Sequence, residues 1–398
     1  MLREFSLIFQ LLGCILFVAF FGDMIPTPIE RTFFTISLII KELLIFALPF
    51  IVYTFVTSCL LSFGQRGPFL IFSLLAIMTV SNFLGFLLGY EVGIFFLQDF
   101  GHTQALFNDQ SQGALAPWFA FHLPKLISTD IALLAGILSG VAGTFWGGNS
   151  LINVFQKFKN AIHFGFSKVF IPLLPLYITG FLIDMENQGS LTTLFTDYGA
   201  VFILVIVVQA IATMALYLLA AKGNFSQFVV FLKNALPAGI VGFSTMSSAA
   251  TMPLTMKAAE LNTKESGFAH IFVPIFFNIH QVGDFFAIPI FMVAIQLIFG
   301  IPPLSLETLL MFSGIYALTK FGNAGVPGGS VIVLMPLFQQ YLGYDAQMSG
   351  LMTMFYVLMD PSGTATNVMG NGAYTILLNK TYLKWFQRTP VESVARSL

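Results

Sequence analysis

Long apolar runs separated by short polar gaps fill the first 221 residues, at roughly 5–22, 35–63, 68–97, 126–147, 164–183 and 199–221. Most approach or exceed the ~20 apolar residues a helix needs to cross a bilayer, so the pattern predicts six conventional transmembrane helices. From about 226 to 380 the apolar runs continue, but polar residues interrupt them four times. STMSSAATMPLTMKAAE, from Ser244, is a serine-rich break with apolar flanks. PIFFNIHQVGDFFAIPIF, from Pro274, puts amides, a histidine and an aspartate inside a span. GNAGVPGGSVIVLMP, from Gly322, is a Gly/Pro break. LMDPSGTATNVMGNG, from Leu358, is again a polar stretch inside a span. The order reads as two copies of one unit: a re-entrant hairpin, then a span whose centre unwinds. The hairpins fall at about 226–262 and 305–345.

The expected architecture is therefore an all-α polytopic membrane protein of eight transmembrane helices and two re-entrant hairpins, arranged as inverted repeats. Unpaired backbone groups cost several kcal/mol in hydrocarbon, so irregular backbone at membrane depth must be shielded by protein or face a wet cavity. Half-helix N-termini favour carboxylates and free carbonyls favour cations, and paired discontinuous segments point to a transporter's central site. Gly and Pro also kink packed helices without any function; four breaks in paired order favour the functional reading.

Composition agrees. The 398 residues are 57% hydrophobic and 9% charged, too little polar material for the surface of a soluble domain. A net charge of −1 gives no reason to expect nucleic acid. Cys14 and Cys59 lie in apolar runs and read as core residues, not as a disulfide or metal site. The first apolar run lacks an A-x-A-like cleavage site and is read as a retained helix. With the N-terminus in the cytoplasm, alternation puts Arg66, Lys157, Lys159, Lys222 and Lys233 inside. Asp23, Asp99, Asp109, Asp184, Glu186 and Asp197 fall outside, with only Arg31 and Lys125 as basic residues there. That is the positive-inside bias. Lys380, Lys384, Arg388 and Arg396 place the tail inside too, in a membrane read as a bacterial inner membrane.

The broken region resembles the glutamate-transporter family, the dicarboxylate/amino acid:cation symporters. TMSSAATMPLTM is similar to the family's serine-rich first hairpin, NIHQVGD falls where the family has N-M-D-G-T, and GNAGVPGGS resembles its second hairpin tip. DPSGTATNVMGNG falls on D-x-x-R-T-x-x-N-V-x-G-D. The resemblance covers about Pro237 to Lys380 well, and the first six spans by layout. It implies a two-part protomer. Residues 1–67 and 126–198 would form a trimeric scaffold; 68–125 and 199–385 would form a transport domain moving as an elevator; 386–398 would be a cytoplasmic tail.

Asp360 is the leading site candidate, because an intramembrane carboxylate faces a cavity or a cationic partner. By resemblance it binds a substrate ammonium; a protonated, buried Asp capping a helix end at Pro361 is the alternative. Asp360, Thr364 and Asn367 follow i, i+4, i+7 and share one helix face. By resemblance Asn367 holds the substrate carboxylate with backbone near Ser247 and Ser248, while backbone around Val326 and Gly328 closes over the ligand. Mid-span Thr and Asn also form plain interhelical hydrogen bonds.

The departures bear on substrate and coupling. Acidic-substrate members carry an arginine where this chain has Gly363, and Met246 precedes the hairpin serines, so a side-chain carboxylate lacks its bidentate partner. A small neutral amino acid is expected, unless Lys257 or Lys320 reaches in to serve an acidic one or a dicarboxylate. The family's sodium-binding aspartates correspond to His280 and Asn371, and the third span, LLAIMTVSNFLG, shows no obvious Thr-Ser pair. His280 with Asp284 four residues on suggests proton rather than sodium coupling, with Asn278 a further candidate ligand; a neutral histidine making a structural hydrogen bond is the alternative. No cofactor is expected, and the partners are substrate, coupling cation (H+ or Na+), lipid and two further copies of the chain. An anion channel or a binding paralogue without transport are the rival readings. No H-E-x-x-H or G-x-S-x-G motif supports an enzyme.

Overall fold

The computed structural model describes residues 2–63, 68–98, 115–124, 126–146, 148–165, 168–169, 171–187, 191–322 and 328–386. Among these residues every regular element is helical. The first part runs α1 (Leu2–Phe21), α2 (Thr27–Phe63), α3 (Pro68–Leu97), α4 (Thr129–Trp146), α5 (Asn149–Gly165), α6 (Ile171–Asn187) and α7 (Leu191–Ala220). Six of these seven cover the expected spans. The seventh, α5, falls where a loop was expected. NSLINVFQKFKNAIHFG is too polar for a span, yet its apolar residues recur at helical spacing, which suits a helix lying along an interface.

The stretches Ser73–Leu97, Gly199–Ala220 and Phe225–Thr245 are long and apolar enough to cross a membrane. Leu84, Leu88, Ile203, Ile211 and Leu219 stand exposed on two of them. Large aliphatic side chains turned outward along helices of this length mark lipid, not water, as the surrounding solvent.

Two pairs of packed helices flank the breaks where hairpins were expected, and residues 323–327, between the second pair, lie outside the described residues. The first is α8 (Phe225–Thr245) and α9 (Ser248–Thr263). Asn224 caps α8 by accepting from Gln227 N at 3.0 Å, and Met246 ends it in the left-handed conformation at φ 50°. Ser247 then caps α9 by accepting from Ala250 N at 3.3 Å. The open end of the hairpin is closed by Asn262, whose side chain accepts from Asn234 at 2.8 Å and donates to Phe231 O at 3.1 Å. The second hairpin is α12 (Leu306–Thr319), continuing as a 3-10 turn over Lys320–Gly322, and α13 (Gly329–Leu342). Gly328 enters α13 at φ 70°, a left-handed turn that suits glycine.

Between the hairpins, α10 (Ser266–Ile279) and α11 (Asp284–Ile298) are halves of one interrupted span. His280 leaves helical geometry at φ −104°, ψ 105°. The final helix departs from expectation. α14 (Ala346–Phe386) runs unbroken for 41 residues through the whole polar stretch. Pro361 removes only its own N–H, and Ser362 Oγ donates back to Met359 O at 2.9 Å. Its glycines serve close packing instead of unwinding. A Cβ on Gly370 would stand 2.6 Å from Val282 Cγ2, and one on Gly372 2.8 Å from the Tyr217 hydroxyl.

The helices sort into two packing groups. α2 packs chiefly on α4, α6 and α5, and α1 on α6. α3 packs on α11 and α12, while α14 gathers α7, α8, α9, α10 and α11 around itself. Contacts of α2 with α13 and with the 320–322 turn, and of α14 with α6, join the groups.

Candidate functional site

The polar face of α14 is the floor on which both hairpins land. Asp360, Thr364, Asn367 and Asn371 are all buried. They stack at i, i+4, i+7 and i+11 on a continuous helix, so the predicted common face is realised. Hairpin two arrives first: Gly328 N donates to Asp360 Oδ2 at 2.7 Å, at the N-terminal end of α13. An N-terminal amide is a suitable holder for a carboxylate. Thr364 Oγ1 donates to the other carboxylate oxygen at 3.1 Å. Hairpin one lies against the next turn. A Cβ on Gly242 of α8 would contact Val368 Cγ2 at 3.1 Å and Thr364 O at 3.4 Å, so α8 approaches this face at van der Waals distance.

Ser247 and Ser248 stand at the tip of that hairpin, at the start of α9, with Ser248 buried. Val326 lies outside the described residues. Gly363 faces the break between α10 and α11: a Cβ there would be 3.8 Å from Gln209 Nε2 and 4.0 Å from Asp284 Oδ1.

The break itself is serviced from three sides. Asn367 Oδ1 accepts from Gly283 N at 2.7 Å. Gln209 Nε2 of α7 donates to Gly283 O at 3.1 Å, and Asn82 Nδ2 of α3 donates to Ile279 O at 3.0 Å. Ile279 O and Gly283 N, which lose their helix partners at the break, are paired by these side chains, while Gly283 O keeps a backbone bond from Ala287 N at 3.1 Å and takes Gln209 as a second donor.

The expected His280–Asp284 pair is not formed. Unwinding at 280–283 removes the helical register that would have stacked them, and the two go to different partners. His280 Nδ1 lies 2.9 Å from Asn371 Oδ1, and Nε2 lies 3.0 Å from Ser81 Oγ, which is 2.7 Å from the Tyr374 hydroxyl. A neutral ring satisfies this chain: Nδ1–H donates to Asn371, and Nε2 accepts from Ser81, which accepts from Tyr374. The two positions that the resemblance matched to sodium carboxylates thus bind one another. Asn278 sits in the last turn of α10, and its side chain is outside the described set.

Asp284 turns the other way. Its Oδ1 accepts from the Tyr356 hydroxyl at 3.0 Å, and its Oδ2 from the Lys320 ammonium. Lys320 also donates to Gln281 Oε1 at 2.9 Å, which accepts from Ser330 Oγ at 2.8 Å. Lys320 is therefore committed inside the break and is not free for a substrate carboxylate, while Lys257 is exposed on α9.

Sequence reasoning missed Gln209, Gln281, Ser330 and Tyr356. It saw Lys320 only as a stray base, and Ser81 and Asn82 only as part of a poorly matching span. The signal for the last two was present, because SN in an apolar span is unusual and polar side chains there need partners.

A family model described as "Sodium:dicarboxylate symporter family" matches residues 7–381. The chain belongs to the sodium:dicarboxylate symporter family. The family is one of membrane transporters, which fits the long apolar helices of this chain. Among relatives, it is 27% identical over 209 residues to a serine/threonine transporter, SstT, of Bifidobacterium adolescentis, covering 50% of this chain and 46% of that protein. It is 26% identical over 226 residues to the protein of the same name from Streptococcus agalactiae serotype III, covering 54% of each. The matched region spans about half the length of these curated relatives. The family's name pairs a solute with a cation.

Proposed function

We propose that this protein is a secondary transporter of a small neutral amino acid, with serine and threonine the leading substrates. The observation that carries the reading is the pairing of a hairpin-capped Asp360 with the absence, among the described residues, of a second buried lysine or arginine besides the engaged Lys320. Asp360 receives the substrate ammonium by a charge-assisted hydrogen bond, exchanging the Gly328 amide for it. The Asn367 amide and the α9 N-terminus at Ser247 and Ser248 face the substrate carboxylate. A neutral side chain points toward Gly363, where no guanidinium waits for a second carboxylate. Dicarboxylates and acidic amino acids are disfavoured for that reason, and the relatives' names point the same way.

The packing groups support the division into a scaffold built on α1, α2 and α4–α6 and a transport domain built on α3 and α7–α14. Elevator movement of the second against the first, a homotrimer, and cytoplasmic termini in a bacterial inner membrane belong to the same reading. The family description favours sodium as the coupling cation. The hydrogen-bond chain through His280, which a neutral ring satisfies, supports a structural role for it over proton carriage.

Uptake of labelled serine, threonine, alanine, aspartate and succinate into proteoliposomes, with sodium and proton gradients imposed separately, tests this. Saturable, competed uptake of the neutral solutes is expected. Asp360→Asn should weaken serine binding at least about 100-fold while assembly is unchanged, as fits loss of a buried charge-assisted contact. Unaltered affinity in that variant, or uptake confined to succinate or aspartate, overturns the assignment.

A further inference from the structure

The break between α10 and α11 holds a positive charge that the substrate does not bring. Lys320 is 2% exposed, and its ammonium enters the unwound segment from the end of α12. Around it stand a carboxylate oxygen of Asp284, the amide oxygen of Gln281 and the face of the Tyr316 ring, whose centroid is 4.9 Å from Nζ. Hard oxygens at an interrupted helix, backed by an aromatic face, form an environment suited to a small monovalent cation.

The charges point in the same direction. Asp284 and Asp360 are two buried carboxylates on adjacent elements, and Lys320 neutralises one of them. Two uncompensated carboxylates in a low-dielectric interior would be strongly unfavourable. A mobile ion neutralises such a site only while it is bound; a lysine does so in every state of the cycle.

We propose that the Lys320 ammonium is a tethered cation standing in a position built for a mobile monovalent cation. The chain thereby supplies one coupling charge itself, and the carrier takes one fewer ion from solution. This rests on the transporter reading for its meaning, although the site can be probed without transport. The arrangement also ties the charge to the hairpin. Gln281 Oε1 accepts from Lys320 on one limb and Ser330 on the other, so both limbs are pinned to the break through one oxygen.

Removing the ammonium should reopen the position to an ion. Purified wild type, Lys320→Ala and the double variant Lys320→Met with Asp284→Asn are melted in sodium, potassium and choline chloride at equal ionic strength. Sodium is expected to raise the midpoint of Lys320→Ala by about 3 °C or more beyond its effect on wild type, as binding to the folded state alone requires. The double variant, lacking the carboxylate, should lose this gain. Recovery of Lys320→Ala only when sodium is present throughout purification counts as the same result. A sodium response in Lys320→Ala no larger than in wild type overturns the proposal. So does a gain that survives in the double variant, or failure of Lys320→Ala to fold even in sodium. Serine binding to wild type is measured alongside: its failure would remove the transport reading and leave the sodium gain of Lys320→Ala to be judged by itself.

Discussion

Two stretches of this chain bury polar residues, and they solve the same problem in opposite ways. Residues 280–283 give up helical backbone, whereas 358–372 keep it. In the first, Ile279 O and Gly283 N are paired by Asn82 of α3 and Asn367 of α14, and Gln209 of α7 adds a second donor to Gly283 O, which keeps its bond from Ala287 N. In the second the ladder stays intact, and only the side chains of Asp360, Thr364, Asn367 and Asn371 reach outward. The intact helix is thus the donor of partners and the broken one the recipient. Rigidity in α14 is what allows irregular backbone opposite it, because each repair needs a fixed partner. A polar stretch in an apolar span shows that partners are required, without showing whether main chain or side chain needs them.

Breaking the comparison is most severe where the two stretches touch. A Cβ on Gly283 would lie 2.5 Å from Gly363 O, backbone against backbone, with neither side free to give. Gly283→Leu should therefore cost roughly 3 kcal/mol or more, read as lost yield and a lowered melting midpoint; a normally folded variant would show that the contact is slack. Removing one repair is milder. Gln209→Leu removes one of two donors to the Gly283 carbonyl, which still accepts from Ala287 N, so it should cost about 0.5–1.5 kcal/mol, toward the lower end because Gln209 Oε1 is itself buried without a partner. Unchanged stability would mean that the break needs no servicing from α7. Pro361→Ala should have the smallest effect. It restores an N–H to a helix already continuous, so the midpoint should hold or rise and serine should still shift it. Loss of the ligand response would show that the last span unwinds in use.

Much of this was legible early. The six long apolar runs, the paired breaks that follow them and the shared face of Asp360, Thr364 and Asn367 follow from hydropathy period and helix geometry. The α5 helix was not assigned because its sequence fits an interface better than a span. Lys320 lies 36 positions from Asp284, and Ser81 lies 199 from His280, so neither pairing has a local signature. The expected His280–Asp284 contact was a local inference, and it failed because the helix that would have created it is absent at those residues.

The sequence by itself determined that this chain lives in lipid and that its polar groups gather at breaks in its last 170 or so residues. Those outcomes depend on short-range periodicity and turn chemistry. Only tertiary structure decided which polar stretch unwinds, that His280 closes on Asn371, and that Lys320 enters the break to meet Asp284. Such choices are set by which buried group finds a partner on another helix, and in a dry interior an unmade partnership is what costs most.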